Sequence, residues 1–243
     1  MSQRKKKYMD TIKYNDINIM NCNYKKGSFA KIDKYAFNGK CYALKKFNDE
    51  KYLNGKKIKI NELNKINDDH LILPKLWVEK DGNKNQYLSR FCYGSQISKD
   101  GIIDKLMYTK ELIKHMHEYK IIHGDLNKSN ILFIGNDPFI IDFDNASYNN
   151  SKIDVNSLND YSADYIKKLG INNGLDVYLF NLLTFSLLNE VPYFCIRKEV
   201  MNKNYKIFNF KEGIELCNSF FLDKGYSDKD YLIDLVSSSS KKF

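Results

Sequence analysis

Two short polar stretches lie between strongly apolar runs in the middle of the chain, and they constrain its fold more than any other feature. Residues 123–130 read His-Gly-Asp-Leu-Asn-Lys-Ser-Asn, and residues 141–144 read Ile-Asp-Phe-Asp. Gly, Asp, Asn and Ser favour turns, so we expect both stretches to be short loops that emerge from a buried core. They set the carboxylates of Asp125 and Asp142 and the carboxamide of Asn130 at fixed offsets. Oxygen ligands of this kind are those that Mg²⁺ prefers.

This set of side chains suits one kind of chemistry, phosphoryl transfer from a magnesium-bound nucleotide. Such a reaction needs one acid near the attacking hydroxyl group, and a second acid and an amide that hold the metal ions. Asp125 suits the first role, and Asn130 and Asp142 suit the second. The two stretches therefore indicate a candidate kinase.

The composition indicates a folded protein in a reducing compartment. The hydrophobic fraction of 43% and the aromatic fraction of 14% suffice for a core and argue against a disordered chain. The cysteines are odd in number and scattered, and no two form a C-x-x-C pair, which argues against a disulfide framework or a zinc site. We therefore expect a cytoplasmic protein, located in the host cytoplasm if the source is a virus.

Neither the apolar segments nor the charge predicts a membrane or a nucleic-acid partner. The basic N-terminus is followed by no apolar core, and the apolar run 177–188 contains polar residues and is too short to span a bilayer. The net charge is +9, from 39 basic and 30 acidic residues, but the lysines alternate with Asn, Asp and Tyr along the whole chain. We interpret them as a solvated surface, and we expect no specific nucleic-acid binding and a monomer.

Two regions of the chain differ in their predicted secondary structure. Between about residues 14 and 87, alternating patterns predict strands with one helical interval, and Asn38-Gly39 predicts a tight hairpin. From about residue 104 the patterns are mostly helical. The predicted strands cover residues 31–35, 41–45, 71–78 and 85–92, and the predicted helices cover about residues 53–68, 104–119, 176–189 and 212–222.

These patterns predict an α+β fold, with a small antiparallel β-rich N-lobe, a larger helical C-lobe and a ligand at the junction of the two. The predicted divisions are a basic tail 1–13, an N-lobe 14–93, a C-lobe 94–236 and a frayed tail 237–243.

Five motifs in register resemble those of the protein kinase superfamily. They are a glycine loop at 27–32, a lysine strand at 42–45, Glu62, and the two polar stretches. The likeness extends from about Asn23 to Pro192 and is greatest to compact, eukaryotic-like serine/threonine protein kinases with a His-Gly-Asp variant of the catalytic loop. It implies the bilobal kinase fold and the use of ATP with Mg²⁺, or alternatively Mn²⁺.

The resemblance implies a nucleotide site in which Lys45 binds the phosphates. Lys46 is the rival lysine, but strand alternation places it on the opposite face. Only Gly27 remains of the three glycines in the loop. The implied nucleotide-binding residues are Gly27, Ser28, Ala30, Ile32, Ala43, Lys45, Phe91, Tyr93 and Leu132.

The resemblance also assigns roles to the acidic side chains. Glu62 is expected to pair with Lys45, with Glu50 as the alternative. Asp125 is expected to act as the base, and Asn130 and Asp142 to hold the metal. The resemblance implies structural roles for three more residues. His123 packs under Phe143, Phe143 docks beneath the Glu62 helix, and Asp176 braces the catalytic loop.

Three residues depart from the kinase pattern. Gly124 replaces the arginine that binds activation-loop phosphate, so we expect activity without loop phosphorylation. Asn127 replaces a lysine, and Asp144 replaces a glycine. Asp144 and the His-Gly-Asp pattern are also common in aminoglycoside- and choline-type kinases.

Three functions therefore stay open. The first is a serine/threonine protein kinase with ATP and a protein substrate as its partners. The alternatives are a kinase of a small hydroxylated or amino substrate, and a weakly active kinase-like binding protein.

Overall fold

The computed structural model divides the chain into two compact units, which are described separately. The first unit comprises Met1–Tyr93 and Ile141–Asp144, and the second comprises Gly94–Ile140 and Asn145–Phe243. Within them, the structure describes residues 9–26, 30–48, 53, 56–153, 155, 158–190, 192–193 and 229–240.

The first unit is built on a six-stranded sheet with the strand order β1-β5-β6-β4-β3-β2. β1 runs parallel to β5, and the other pairs are antiparallel. The strands are β1 Thr11–Lys13, β2 Asn18–Lys26, β3 Ala30–Phe37, β4 Lys40–Phe47, β5 Pro74–Lys80 and β6 Asn83–Arg90.

The predicted hairpin at Asn38-Gly39 is confirmed and sets the register of β3 and β4. Both turn residues have positive φ angles, 46° and 71°, as a type I′ turn requires. Phe37 pairs with Lys40 across the turn, and the register continues to Ala30 and Phe47.

Both faces of this sheet bury apolar side chains. One face carries the cluster Met9, Ala30, Phe47, Leu53, Ile60, Trp77 and Tyr87. The other carries Ile17, Tyr35, Leu44, Val78 and Leu88. The first cluster includes Ile60 of the helix α1 (Lys57–Leu63), which is shorter than the predicted interval 53–68. The helix ends where the Asn64 amide turns away from it and donates hydrogen bonds to the carbonyl oxygens of Pro74 and Lys75, at 3.2 and 2.6 Å.

The second unit is mostly helical in its described residues. Its helices are α2 Ile102–Glu118, α3 Asp160–Leu169, α4 Gly174–Asn189 and α5 Leu232–Ser240. Its short strands are β7 Ser95–Gln96, β8 Ile121–Ile122, β9 Ile131–Ile134, β10 Asp137–Ile140 and β11 Ser147–Tyr148. They form a three-stranded sheet β10-β9-β7 and a two-stranded sheet β11-β8. α4 is apolar on nearly all sides, as expected of a helix whose surroundings are protein.

α5 is fixed to the rest of the second unit by polar contacts. The Asn181 side chain on α4 donates to the Asp230 carbonyl oxygen and accepts from the Leu232 backbone N–H, both at 2.9 Å. Lys110 on α2 pairs with Asp234 at 2.6 Å. These contacts hold α5 in place, and the helix runs on to Ser240. Helix α5 thus extends into the tail predicted from Ser237, and the fraying of that tail stays a prediction. The predicted helix 212–222 lies outside the described residues.

The mixture of a β-rich unit and a mostly helical unit confirms the predicted α+β class. None of the helices in the described part of the chain is long and apolar enough to cross a membrane.

Candidate active site

A buried cluster of charges lies in the first unit around Lys45. Its ammonium group contacts the carboxylates of Asp142 and Asp144, the latter at 2.5 Å. Strand β4 presents Lys45 on one face of the sheet, and the segment 141–144 belongs to the same unit and supplies the two carboxylates. The ammonium group of Lys56 lies 4.0 Å from the Asp144 carboxylate. Both carboxylates thus share the Lys45 ammonium group, and Asp144 has Lys56 as a second, more distant counter-charge.

The cluster shifts the pKa values of both carboxyl groups. Burial raises the pKa of Asp142 to about 7; the charge of Asp144 adds to the rise, and Lys45 opposes it. Burial acts on Asp144 in the same direction, but Lys45 and a hydrogen bond with Asp142 outweigh it and hold the pKa of Asp144 below its ordinary value. A pair of like charges in one buried site behaves in this way, because one member ionises more easily than the other.

Glu62 does not take part in this cluster. Its carboxylate pairs with Lys65, one turn further along the chain, at 2.6 Å. Lys45 is already held by two carboxylates, and both partners of the Glu62 pair are partly exposed. The prediction that Glu62 pairs with Lys45 is therefore wrong for this structure. Asp144, which the sequence marked only as a departure from the kinase pattern, occupies that place instead.

Lys46 lies on the other face of the sheet, as predicted. Its ammonium group pairs with Asp33 at 2.6 Å and contacts the Tyr35 hydroxyl group at 3.2 Å. Strand alternation places Lys46 and Lys45 on opposite faces, and the Lys46 charge is paired with that of Asp33.

The other predicted nucleotide-binding residues divide among several places. Ala30 is buried in the first apolar cluster, and Ile32 lies opposite Lys45 in the β3–β4 register. Ala43 is partly buried and pairs with Ser89 on β6. Phe91 is buried against the ring of Tyr93, with the centroids 4.9 Å apart, and Lys34 lies over both rings.

Three more residues of the predicted nucleotide site remain to be located. Gly27 and Ser28 lie outside the described residues. Leu132 belongs to β9 of the second unit, where its side chain leaves no space for a Cβ at Gly94.

The polar loop 123–130 in the second unit is braced by Asp176, as predicted. This carboxylate is fully buried at the start of α4 and accepts from the backbone N–H groups of His123 and Gly124, each at 2.8 Å. The Nε2 atom of His117 lies 3.0 Å from the same carboxylate. His123 itself is fully buried, and its Nδ1 accepts from the backbone N–H of Asp125 at 3.2 Å. This contact supports a structural role for His123, whereas its packing under Phe143 stays a prediction.

The backbone conformation at Gly124 explains why the loop lacks an arginine. Gly124 has a φ angle of +75°, which L side chains rarely adopt. A Cβ atom there would lie 2.9 Å from Cδ1 of Ile153. Any larger residue at this position would therefore meet backbone strain, and the end of the Ile153 side chain would have to shift to make room for it.

Asp125 is held by two amide side chains. The Nδ2 atom of Asn130 donates to Oδ2 of Asp125 at 3.2 Å and to its carbonyl oxygen at 2.9 Å. The Nδ2 atom of Asn159 donates to Oδ1 of Asp125 at 2.8 Å. Asn130 uses only its amide nitrogen in these bonds, so they do not occupy its side-chain oxygen, the atom that would bind a metal ion. Sequence reasoning missed Asn159, whose one local signal is its place before the acidic first turn of α3.

Asn127 has a local structural role. Its Nδ2 donates to the carbonyl oxygen of Asp125 at 3.1 Å, and its Oδ1 accepts from the backbone N–H of Ser129 at 2.8 Å. The side chain therefore closes the turn between Asp125 and Asn130, and the adjacent Lys128 is exposed.

Tyr193 adds an aromatic hydroxyl group to the surroundings of Asp125. Its ring packs edge-on against Tyr161, with the centroids 5.3 Å apart. Burial, followed by Tyr178 and Asp125, raises the pKa of Tyr193 well above its ordinary value. The buried hydroxyl group has no hydrogen-bond partner within the described part of the chain.

Comparison with known protein families identifies the domain to which these residues belong. The RIO domain model matches residues 10–156, which is more than half of the 243 residues. The chain belongs to the RIO domain family. RIO domains form an atypical protein kinase family within the protein kinase superfamily, so the resemblance seen in the sequence is confirmed. The RIO domain makes the chain a kinase-like, ATP-binding phosphotransferase. A search of curated proteins finds no match to the chain.

The residues of this RIO domain suit a divalent metal ion. No three His, Cys, Asp or Glu side chains among the described residues form a ready metal cluster. However, the buried Asp144 and the partly exposed Asp142 place two carboxylates around one ammonium group, an arrangement that a further positive charge would complete. Asp142 also has a φ angle of +71°, an uncommon conformation for an aspartate that is often found at functional sites. Carboxylate and amide oxygens of this kind fit Mg²⁺.

Proposed function

We propose that this RIO domain is a serine/threonine-type protein kinase, which moves the γ-phosphoryl group of ATP to a hydroxyl group of a protein. The observation that carries this proposal is the setting of Asp125. Amide groups contact both oxygens of its carboxylate, and its loop is fixed through the backbone by the buried Asp176. A fixed, ionisable carboxylate is what a general base for a hydroxyl group requires.

The other roles follow from the chemistry of each side chain. Asp125 orients the acceptor hydroxyl group and takes its proton as the phosphoryl group is transferred. Asn130 and Asp142 supply oxygen ligands to Mg²⁺, with Mn²⁺ as the alternative ion. The metal ion, when bound, neutralises negative charge on the phosphates. Lys45 contributes a positive charge to the same phosphates.

For the nucleotide we propose the residues that the sequence assigned. The phosphates are covered by the backbone of the glycine loop, with Gly27, Ser28 and Ala30. The apolar side chains take the adenine ring, and they are Ile32, Ala43, Phe91, Tyr93 and Leu132. We propose that Lys45 is held by Asp144 rather than by Glu62, because Asp144 is the buried carboxylate within contact distance.

The geometry at Gly124 supports activity that does not depend on phosphorylation of the loop after Asp144. An arginine at this position would have to adopt a φ angle of +75° and avoid Ile153. We therefore propose a kinase that is active as synthesised. We further propose that it acts as a monomer in the cytoplasm, the compartment that the scattered cysteines indicate.

A second candidate is a kinase of a small hydroxylated substrate. It is favoured by Asp144, which takes the place of the usual glycine and is buried against Lys45. The two candidates share the phosphoryl donor and the base and differ in the acceptor.

The experiment that tests the proposal is transfer from labelled ATP in the presence of Mg²⁺. We expect label on generic basic or acidic protein substrates, and we expect Asp125→Asn to lower the rate by about 10²–10⁴-fold, because the general base is lost. Asp137→Asn is the matched control, since it makes the same chemical change at the exposed first residue of β10. Label on metabolites alone would favour the second candidate. Equal rates for wild type and Asp125→Asn would contradict both.

A further inference from the structure

Asn159 uses both ends of its carboxamide. Its Oδ1 accepts hydrogen bonds from the backbone N–H and the hydroxyl group of Ser162, at 3.1 and 3.2 Å. Its Nδ2 donates to Oδ1 of Asp125 at 2.8 Å. The first two bonds cap the N-terminus of α3, and Asn159 has the extended backbone that such a cap requires. The third bond joins that helix to the proposed base.

The two ends of this side chain have separable roles. Capping needs only an oxygen acceptor, and Ser, Asp and Asn cap helices about equally well. The bond to Asp125 needs a hydrogen-bond donor that reaches Oδ1, because an ionised carboxylate only accepts. An ionised Asp has no donor, and Ser has a single hydroxyl group on a shorter side chain. Of these three residue types, only Asn has one atom that caps the helix and a second, longer-reaching atom that donates to Asp125.

The bond also determines which oxygen of Asp125 is left for the acceptor hydroxyl group. Oδ1 receives the shorter bond, from Asn159, whereas Oδ2 receives a longer one from Asn130, whose Nδ2 also serves the Asp125 carbonyl oxygen. The more weakly bonded oxygen retains more capacity to accept a proton. The carboxylate is thus fixed in rotation, with Oδ2 as its working atom.

We propose that Asn159 is a positioning residue of this RIO domain, which holds Asp125 in the orientation that accepts the proton of the substrate hydroxyl group. The proposal rests on the proposed function, since it assigns Asp125 as the base. It gives α3, through Asn159 and Asp125, an indirect part in catalysis in addition to its packing on α4.

The test compares three substitutions that separate capping from positioning. Asn159→Ser and Asn159→Asp both keep a capping oxygen and lose the Nδ2 group that reaches Asp125. Asn159→Ser shortens the side chain, and Asn159→Asp removes every donor and sets a negative charge against Asp125. Asn159→Ala loses both functions. Asn172→Asp is the matched control, because Asn172 accepts the backbone N–H of Gly174 at 2.8 Å near the start of the next helix. For each variant, kcat, the KM for ATP and the melting temperature are measured.

We expect a fall in kcat of about tenfold to a hundredfold for Asn159→Ser and a larger fall for Asn159→Asp, with an unchanged KM for ATP, because small errors in orientation are costly. The melting temperatures of both variants stay close to that of wild type. Asn159→Asp thus keeps the cap and has the lowest kcat, an order that capping alone would not produce.

Two outcomes would overturn the proposal, and they differ from each other. If wild type transfers phosphate and Asn159→Asp keeps kcat within twofold while Asn159→Ala is the impaired variant, Asn159 is only a helix cap. If wild type transfers no phosphate to any acceptor, the proposed function fails first, and this proposal fails with it.

Discussion

The ion pair that holds Lys45 can be identified by two double-mutant cycles. The first combines Lys45→Met with Asp144→Asn, and the second combines Lys45→Met with Glu62→Gln. In the structure, Lys45 contacts the buried Asp144, whereas Glu62 pairs with the partly exposed Lys65. We therefore expect a large coupling energy in the first cycle and almost none in the second.

The magnitude follows from the distance and the burial. Unit charges 2.5 Å apart attract by about 7 kcal/mol at an effective dielectric constant of about 20. The measured coupling should be smaller than this attraction, because Lys45 still has Asp142 as a partner when Asp144 is replaced. Contacting charged residues show measured couplings of about 0.5–3 kcal/mol, and we expect about 2–3 kcal/mol for Lys45 and Asp144. The Lys45–Glu62 cycle should stay below about 0.5 kcal/mol, as for residues without a shared contact.

The assay is urea unfolding of the metal-free protein at pH 8, with each single and double variant measured under the same conditions. Lys45→Met alone should cost about 3–5 kcal/mol, since it leaves buried carboxylates without their close counter-charge. Glu62→Gln alone should cost less than about 1 kcal/mol, as for an exposed ion pair. A coupling energy for Lys45 and Glu62 that exceeds the coupling for Lys45 and Asp144 would refute the reasoning.

Three further predictions concern the backbone and the buried acids. Gly124→Ala should destabilise the protein by about 1–3 kcal/mol. The loss should exceed that of Gly135→Ala, because Gly135 has a similar positive φ angle but no atom within 4 Å of a Cβ. Thermal unfolding of the two variants measures the difference. Asp176→Asn should lower the free energy of unfolding in urea by about 3 kcal/mol, because it removes the charge that strengthens two hydrogen bonds to the loop backbone. It should also lower kcat, since these bonds hold the loop that carries Asp125. The raised pKa of Asp142, about 7, favours its protonated form in the folded state. The metal-free wild type should therefore lose unfolding free energy relative to Asp142→Asn as the pH rises from 4 to 7, by less than a fully buried group would, because solvent reaches the Asp142 side chain. A constant difference between these two proteins over that range would contradict the assigned shift.

Local chemistry made several features predictable from the sequence. Asn38-Gly39 defines its own turn, since both residues tolerate positive φ angles, and the strands on either side follow from that turn. The apolar residues of α4 indicate a buried helix by composition alone. The loop residues Asp125 and Asn130 lie five positions apart, and their hydrogen bond closes within that short distance along the chain.

The features that could not be predicted depend on residues distant in the chain. Lys45 and Asp144 are separated by 99 positions, and no local pattern distinguishes Asp144 from Glu62 as a partner of Lys45. Asn159 and Asp125 are 34 positions apart, and the sequence shows Asn159 only as an ordinary helix cap. The end of α1 at Leu63 is set by the contacts of Asn64 with the next strand, which hydrophobic spacing does not encode.

The assignment of residues 141–144 to the first unit has a consequence for how the protein is made. The ribosome synthesises all six strands of the β-rich sheet, which end at Arg90, before it reaches Asp142 and Asp144. Until then Lys45 has neither of its buried counter-charges, so the nascent first unit cannot reach its final electrostatic balance. The last stabilising contacts of the first unit, those of Lys45, therefore form only after residues 141–144 have been translated. A fragment that ends at Tyr93, although it contains all six strands, should for the same reason be less stable than the corresponding part of the whole chain.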